Sequence, residues 1–188
     1  MIRKNQQLLQ LVQQLAKDKN SAPAIVQRKL QAGQQLIQQH QPCKQVYIIQ
    51  SGVVKCFVTE DNGKEYILEF LGEGEVLGEI EALRKTPAFS SVQALTPLTL
   101  YAMSTAQFHH FLQTMPEFSK VILELLATRV ANAALKSATQ QLYTLSHTLP
   151  QLLSALQAQG IQFTKQDLSQ YLGISVRSLN RLISQIVK

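Results

Sequence analysis

Val46-Tyr47-Ile48-Ile49-Gln50-Ser51-Gly52-Val53-Val54-Lys55-Cys56-Phe57-Val58 reads as two apolar runs folded about Ser51-Gly52. Branched and aromatic side chains suit a pleated, half-buried surface, and glycine supplies the positive φ of a tight turn. The stretch therefore predicts a strand, a turn and a second strand. Moving outward, Tyr66-Ile67-Leu68-Glu69-Phe70 and Leu98-Thr99-Leu100-Tyr101 are further strands. Gly33, Asp61-Asn62-Gly63, Gly72 and Gly74 punctuate them and are expected at positive-φ turns. Many short strands between Val26 and about Met103 predict a small antiparallel barrel or sandwich.

Helical periodicity flanks this region on both sides. Leu8, Leu11, Val12 and Leu15 predict an amphipathic helix in the first twenty residues, ended by Asn20-Ser21-Ala22-Pro23. After Met103, Ser104 is placed to cap a helix over Thr105 to Thr114. A long helix is expected from Pro116 to His147, a span without an internal Gly or Pro. Its apolar residues form more than one stripe, and its alanines allow close approach. The expected homodimer interface is Ile122, Leu126, Val130, Ala133 and Ala134; the alternative is that the stripe only covers the barrel. Leu149-Pro150 is then expected to open a short helix running to about Gln159 and stopping at Gly160.

The last segment, Phe163-Thr164-Lys165-Gln166-Asp167-Leu168-Ser169-Gln170-Tyr171-Leu172-Gly173-Ile174-Ser175-Val176-Arg177-Ser178-Leu179-Asn180-Arg181-Leu182-Ile183, has the spacing of a helix-turn-helix. Thr164 with Asp167 three residues on is a capping box, Gly173 takes the turn, Ser175 caps the second helix, and small Ser169 lets the helices approach. Outward-facing Val176, Arg177, Ser178 and Arg181 are candidates to meet base edges, arginine pairing with guanine in bidentate fashion. Lys165, Gln166 and Ser175 are candidates for phosphates. Double-stranded DNA is the expected partner; a helical hairpin with a solvated basic face is the bland alternative.

Composition narrows the function classes. With 188 residues, 45% of them apolar, the chain is long enough for one large or two small domains. It has no apolar run of membrane-spanning length and no signal-peptide core, so a cytoplasmic protein without membrane association is expected. Two cysteines, Cys43 and Cys56, lack the close partners that zinc or an iron–sulfur cluster requires, and His40, His109, His110 and His147 are scattered. No metal site is expected. No nucleophile–base pair or phosphate-cradling glycine loop points to catalysis. The net charge of +6 is unevenly spread: eight of the twelve acids lie between Glu60 and Glu81, which leaves basic ends suited to a polyanion.

In order and spacing, Gly33, Tyr47-Ile48-Ile49-Gln50-Ser51-Gly52, Asn62-Gly63-Lys64-Glu65, Gly78-Glu79-Ile80 and the helix-turn-helix resemble the cAMP-receptor-protein/FNR (CRP/FNR) family of bacterial transcription regulators. The resemblance implies an α+β chain. It comprises a jelly-roll cyclic-nucleotide-binding-like sensor at 1–115, a dimerisation helix at 116–148 and a helix-turn-helix domain at 149–188. It further implies a homodimer on a two-fold symmetric operator, with RNA polymerase as a further candidate partner. Family members continue into a β-hairpin wing where this sequence ends at Ile186-Val187-Lys188, so fewer phosphate contacts are expected. A dimeric regulatory module acting through protein contacts, its helix-turn-helix vestigial, is the second reading.

By position, Glu79 matches the carboxylate that accepts hydrogen bonds from a ribose hydroxyl. The arginine, hydroxyl residue and small residue that would hold a cyclic phosphate are replaced by Ala88, Phe89 and Ser90, and the purine-contacting pair by Ala133 and Ala134. The strongest anion contact is missing. The candidate pocket of Gly78, Glu79, Ile80, Ala88, Phe89, Ser90 and Ser91 is thus expected to bind something other than cAMP, or nothing. Phe89 is either a plug or a floor for a less charged ligand, and Arg84 or Lys85 is a substitute cation only if it swings inward. The effector stays open: haem is not selected by any of His40, His109 or His147.

Overall fold

The computed structural model describes residues 2–18, 25–157 and 163–186. The stops expected at Asn20–Pro23 and Gly160, and Val187 and Lys188, lie outside them. The strands are β1 (Ile2–Arg3), β2 (Val26–Leu30), β3 (Gln35–Ile37), β4 (Gln45–Ser51), β5 (Val54–Thr59), β6 (Glu65–Leu71), β7 (Val76–Leu77), β8 (Ser91–Ala94) and β9 (Leu98–Ser104). They form two sheets, ordered β1-β6-β5-β8-β3 and β2-β9-β4-β7. Every pairing is antiparallel except β1 on β6, which is parallel with Ile2 opposite Phe70.

The unbroken apolar run of β4 has a physical cause, since both of its faces are buried. Tyr47 and Ile49 point between the sheets to meet Val54, Cys56, Leu71 and Leu100. Val46 and Ile48 point the other way, onto helices. Those helices are α1 (Gln6–Leu15), α2 (Glu79–Arg84), α3 (Thr105–Thr114) and the first half of α4 (Pro116–Leu142). Leu8, Val12, Phe108, Phe118, Val121 and Ile122 join Val46 and Ile48 in one cluster. Ser104 caps α3 by accepting from the Gln107 amide at 3.0 Å. Gly33, Gly52, Gly63 and Gly74 have positive φ, but Gly72 does not. Its small size answers crowding instead: an added Cβ would stand 2.9 Å from the Ile2 side chain.

The expected helix from Pro116 to His147 is divided. α4 stops at Leu142, and Tyr143 is extended (φ −124°, ψ 146°). Helix α5 (Leu145–Gln157) follows, the Thr144 carbonyl accepting from the Thr148 amide at 3.2 Å. Threonine favours a helix start over a helix interior, which accounts for the break. Pro150 lies inside α5 rather than at its opening. In the second turn proline removes one backbone bond, to Ser146, and the helix continues.

α5 packs with α6 (Lys165–Leu172) and α7 (Val176–Ile186) around Leu149, Leu156, Leu168 and Leu179. α6 begins with a complete capping box between Thr164 and Asp167 and ends at left-handed Gly173 (φ 68°).

Candidate effector pocket and nucleic-acid interface

β7 leads into Gly78, whose φ of 81° and crowded surroundings admit only glycine: a Cβ there would stand 2.7 Å from the Gln45 carbonyl oxygen. The turn throws Glu79 inward, where it is 1% exposed. Around it lies a cavity of about 30 Å³ lined by Cys56, Glu69, Gly78, Glu79, Ile80, Glu81, Phe89, Ser90 and Arg129, among others. One or two waters fill such a space, whereas small-molecule pockets begin at about 300 Å³.

The cation in this cavity is Arg129, from α4. One guanidinium nitrogen donates to Glu79; the other donates to Glu75 Oε2 at 2.7 Å and to the Val76 carbonyl at 2.8 Å. Glu75 and Glu79 are both buried, so the fork geometry of arginine neutralises two carboxylates at once, Glu75 having Arg3 as a second, more distant cation at 3.9 Å. Burial pushes the Glu79 carboxyl up to about 7, against the pull of Arg129, with Glu81 and Glu69 adding to the rise. Burial works against the Arg129 charge too, but Glu79, Glu69 and Glu75 outweigh it and hold the guanidinium protonated. Burial likewise raises the Cys56 thiol well above its ordinary range, leaving it an inert wall residue.

Of the expected pocket residues, Gly78, Glu79, Ile80, Phe89 and Ser90 meet at the cavity. Ala88 and Ser91 do not line it. Ala88 is 1% exposed and packs with Ile37, Tyr47 and Leu77 between the sheets. Ser91 Oγ accepts from the Gln39 amide at 3.0 Å, so it braces the β3–β4 connection. Phe89 is 43% exposed and forms one wall, and is neither a buried plug nor a floor. Arg84 and Lys85 remain exposed in solvent.

Sequence reading missed Arg129 because its partners lie 50 and 54 positions away. A signal was present, however. Arg129 sits on the same stripe as Val121, Ile122 and Leu125, and a cation on a buried stripe requires a buried acid.

The expected dimer face also shifts. Ile122 is 1% exposed within its own chain and Leu126 packs on the same core, so both belong to the barrel cover. Ala133 and Ala134 are exposed, as is Val130 at 72%. Leu123, Ala127, Val130 and Ala134 follow one another at intervals of four, three and four, an exposed small-and-apolar seam on the far side of α4.

In the helix-turn-helix, Ser175 Oγ caps α7 by accepting from the Ser178 amide at 3.1 Å. Arg177, Asn180, Arg181 and Ser184 are exposed along α7, with Val176 and Ser178 half-buried beside them; Lys165 and Gln166 are exposed at the start of α6. Ser169 is buried at the crossing, and its carbonyl accepts from Ile174 at 3.0 Å.

The fold is thus a two-sheet β domain joined through a long helix to a helix-turn-helix, and comparison with known proteins finds relatives of it. Residues 27–115 match the cyclic nucleotide-binding domain family. Over most of its length the chain is similar to CRP/FNR-type regulators. It is 25% identical to the fumarate and nitrate reduction regulatory protein of Yersinia pestis over 87% of this chain and 70% of that protein. It is 24% identical to the cAMP-activated global transcriptional regulator CRP of Salmonella typhimurium over 80% of this chain and 77% of that one. These relatives are transcription regulators and not enzymes.

Two solved structures share the fold. The c-di-GMP-responsive global regulator CLP of Xanthomonas campestris superposes with a TM-score of 0.79 at 18% identity, covering 87% of each chain. FixK2 of Bradyrhizobium japonicum gives 0.73 at 15% identity, covering 86% of this chain and 84% of its own. Among the described residues no helix is long and apolar enough to cross a membrane.

Proposed function

We propose that this chain is a DNA-binding transcription regulator that works as a homodimer on a two-fold symmetric operator, and that cAMP is not its effector. The observation that carries the DNA reading is the exposed polar face of α7. Arg177, Asn180, Arg181 and Ser184 point to solvent from a capped helix whose apolar face is fully used by Leu179 and its neighbours. Such a helix fits the major groove, with the cations of Lys165 and the arginines turned to the polyanion. Selection from a random duplex library at moderate salt is expected to enrich a palindrome; no sequence enrichment overturns the reading.

The second half of the proposal rests on Arg129. The position that would face a cyclic phosphate carries a buried alanine, and the cation that is present is already bound by Glu75 and Glu79. A phosphate would have to displace both carboxylates, inside a cavity too small to hold it. Thermal shift with cAMP and cGMP at up to millimolar concentration is expected to be flat, and stabilisation at micromolar cAMP refutes this half alone. Dimerisation is assigned to the seam of Leu123, Ala127, Val130 and Ala134. Val130→Glu is expected to give a monomer in sedimentation without loss of fold.

A further inference from the structure

The helix-turn-helix does not stand clear of the sensor. β5 and β6 have two distinct faces. Cys56, Glu69 and Leu71 look toward the effector cavity. Lys55, Phe57, Ile67 and Phe70 look the other way, and all four are buried. An antiparallel sheet commonly leaves its second face to water. Here α6 and its N-terminal flank help to cover it: the rings of Phe163 and Tyr171 pack at a tilt on Phe70 with centroids 4.6 and 5.2 Å away.

Polar contacts fix the register of this docking. Lys55 Nζ donates to Asp167 Oδ1 at 3.0 Å, an ion pair in which both side chains are about nine-tenths buried. Gln170 donates to Glu65 at 2.7 Å. From α4, Lys136 sits 4.0 Å above the Tyr171 ring and donates to the Leu68 carbonyl at 3.0 Å. Lys136 follows Arg129 by two helical turns on the same face, so one helix reaches both the effector cavity and the seat of α6. Arg177, Asn180, Arg181 and Ser184 on α7 stay exposed.

We propose that Lys55 and Lys136 are positioning residues for DNA binding: they seat α6 on the chain's own sensor sheet and so set the separation at which the two α7 helices of a dimer meet DNA. The chemistry makes Lys55 decisive. Without it the buried Asp167 carboxylate would keep its Thr164 hydrogen bonds but lose its counter-charge at the sheet, so undocking into water becomes the favourable response. The helix-turn-helix survives undocking because its own core of Leu149, Leu156, Leu168 and Leu179 and its capping box are internal to it. The inference rests on the DNA-binding reading, and its test separates the two.

Hydrogen exchange of the full chain without DNA reads the docking. Lys55→Met is expected to raise exchange in α6 and β6 about tenfold or more while β4 is unchanged, and Lys55→Arg to restore protection. Lys55→Met with Asp167→Asn, which removes the stranded charge and keeps an oxygen for the cap, is expected to recover most of it. Affinity for operators with half-site separation changed by one or two base pairs reads the positioning. The wild type is expected to favour one separation by about tenfold, and Lys55→Met or Lys136→Met to flatten the series to within about threefold without weakening a single half-site. Lys136 borders the interface and serves as the test if Lys55→Met loses β4 protection. Unchanged α6 exchange overturns the docking, and released α6 with an intact spacing preference overturns the positioning role. A wild type that binds no DNA removes the underlying reading, whatever the exchange data give.

Discussion

Three arginines divide this molecule by what their guanidinium groups face. Arg129 is buried among Glu75, Glu79 and the Val76 carbonyl, whereas Arg177 and Arg181 project from α7 into solvent. The same side chain therefore plays opposite parts. In the N-terminal domain two of its nitrogens are taken up by internal acids, which an anionic ligand would have to displace; on the helix-turn-helix the arginines stay exposed. The difference teaches that one kind of cation serves internal packing where acids surround it and stays accessible where solvent does.

The largest effect expected on this contrast is Arg129→Ala. It strands the buried Glu79 carboxylate and leaves Glu75 only the more distant Arg3, and is expected to cost about 3–5 kcal/mol in denaturant unfolding, with part of the loss recovered by adding Glu79→Gln. A loss below about 1 kcal/mol would place Arg129 with ordinary surface arginines and end the comparison. Next in size is a pH effect. The Glu79 carboxyl titrates near 7 in the folded chain against an ordinary 4.5, so the folded state holds the proton over that interval. Stability attributable to Glu79 therefore falls as pH rises from about 4.5 to about 7 and is level above it, up to about 3 kcal/mol in all. Comparing thermal unfolding of the wild type and Glu79→Gln across that window checks it, the variant lacking this component.

On the exposed side the effects are smaller and appear in binding. Arg177→Ala is expected to cost about 1–3 kcal/mol of base discrimination at one operator position. Lys165→Ala is expected to weaken all sequences alike and to flatten the salt dependence by about 0.9 in slope. Quantitative binding at two salt concentrations to matched and mismatched duplexes distinguishes them. The smallest effect belongs to Phe89→Ala: this half-exposed wall should cost about 1 kcal/mol or less. Opening the wall is not expected to yield a cyclic-nucleotide thermal shift, because Arg129 stays bound to its carboxylates.

What the sequence made legible was local. Thr164 with Asp167, Gly173 and Ser175 encode their turn within a dozen residues, and the helix-turn-helix was readable from them. The β4–β5 pair was readable because its turn lies between two apolar runs. Arg129 was not, since its meaning depends on acids some fifty residues away that reach it only through the fold. Ile122 was misread for a related reason: an apolar stripe states that something covers it, but not whether the cover is the same chain or another. Ala88 shows the limit of matching by position, because the resemblance points to a missing arginine while only packing shows that the residue faces between the sheets.

The parallel pairing of β1 with β6 sets a kinetic order for folding. Ile2 meets Phe70 across 68 positions of chain, and Arg3 ties the same strand to Glu69. Closing so long a loop gains little until the β5–β6 hairpin already exists, so β1 is expected to join the sheet after the transition state. Ile2→Ala is accordingly expected to speed unfolding while leaving the folding rate nearly unchanged, which makes this short strand a clasp that governs how long the native sheet persists rather than how it is reached.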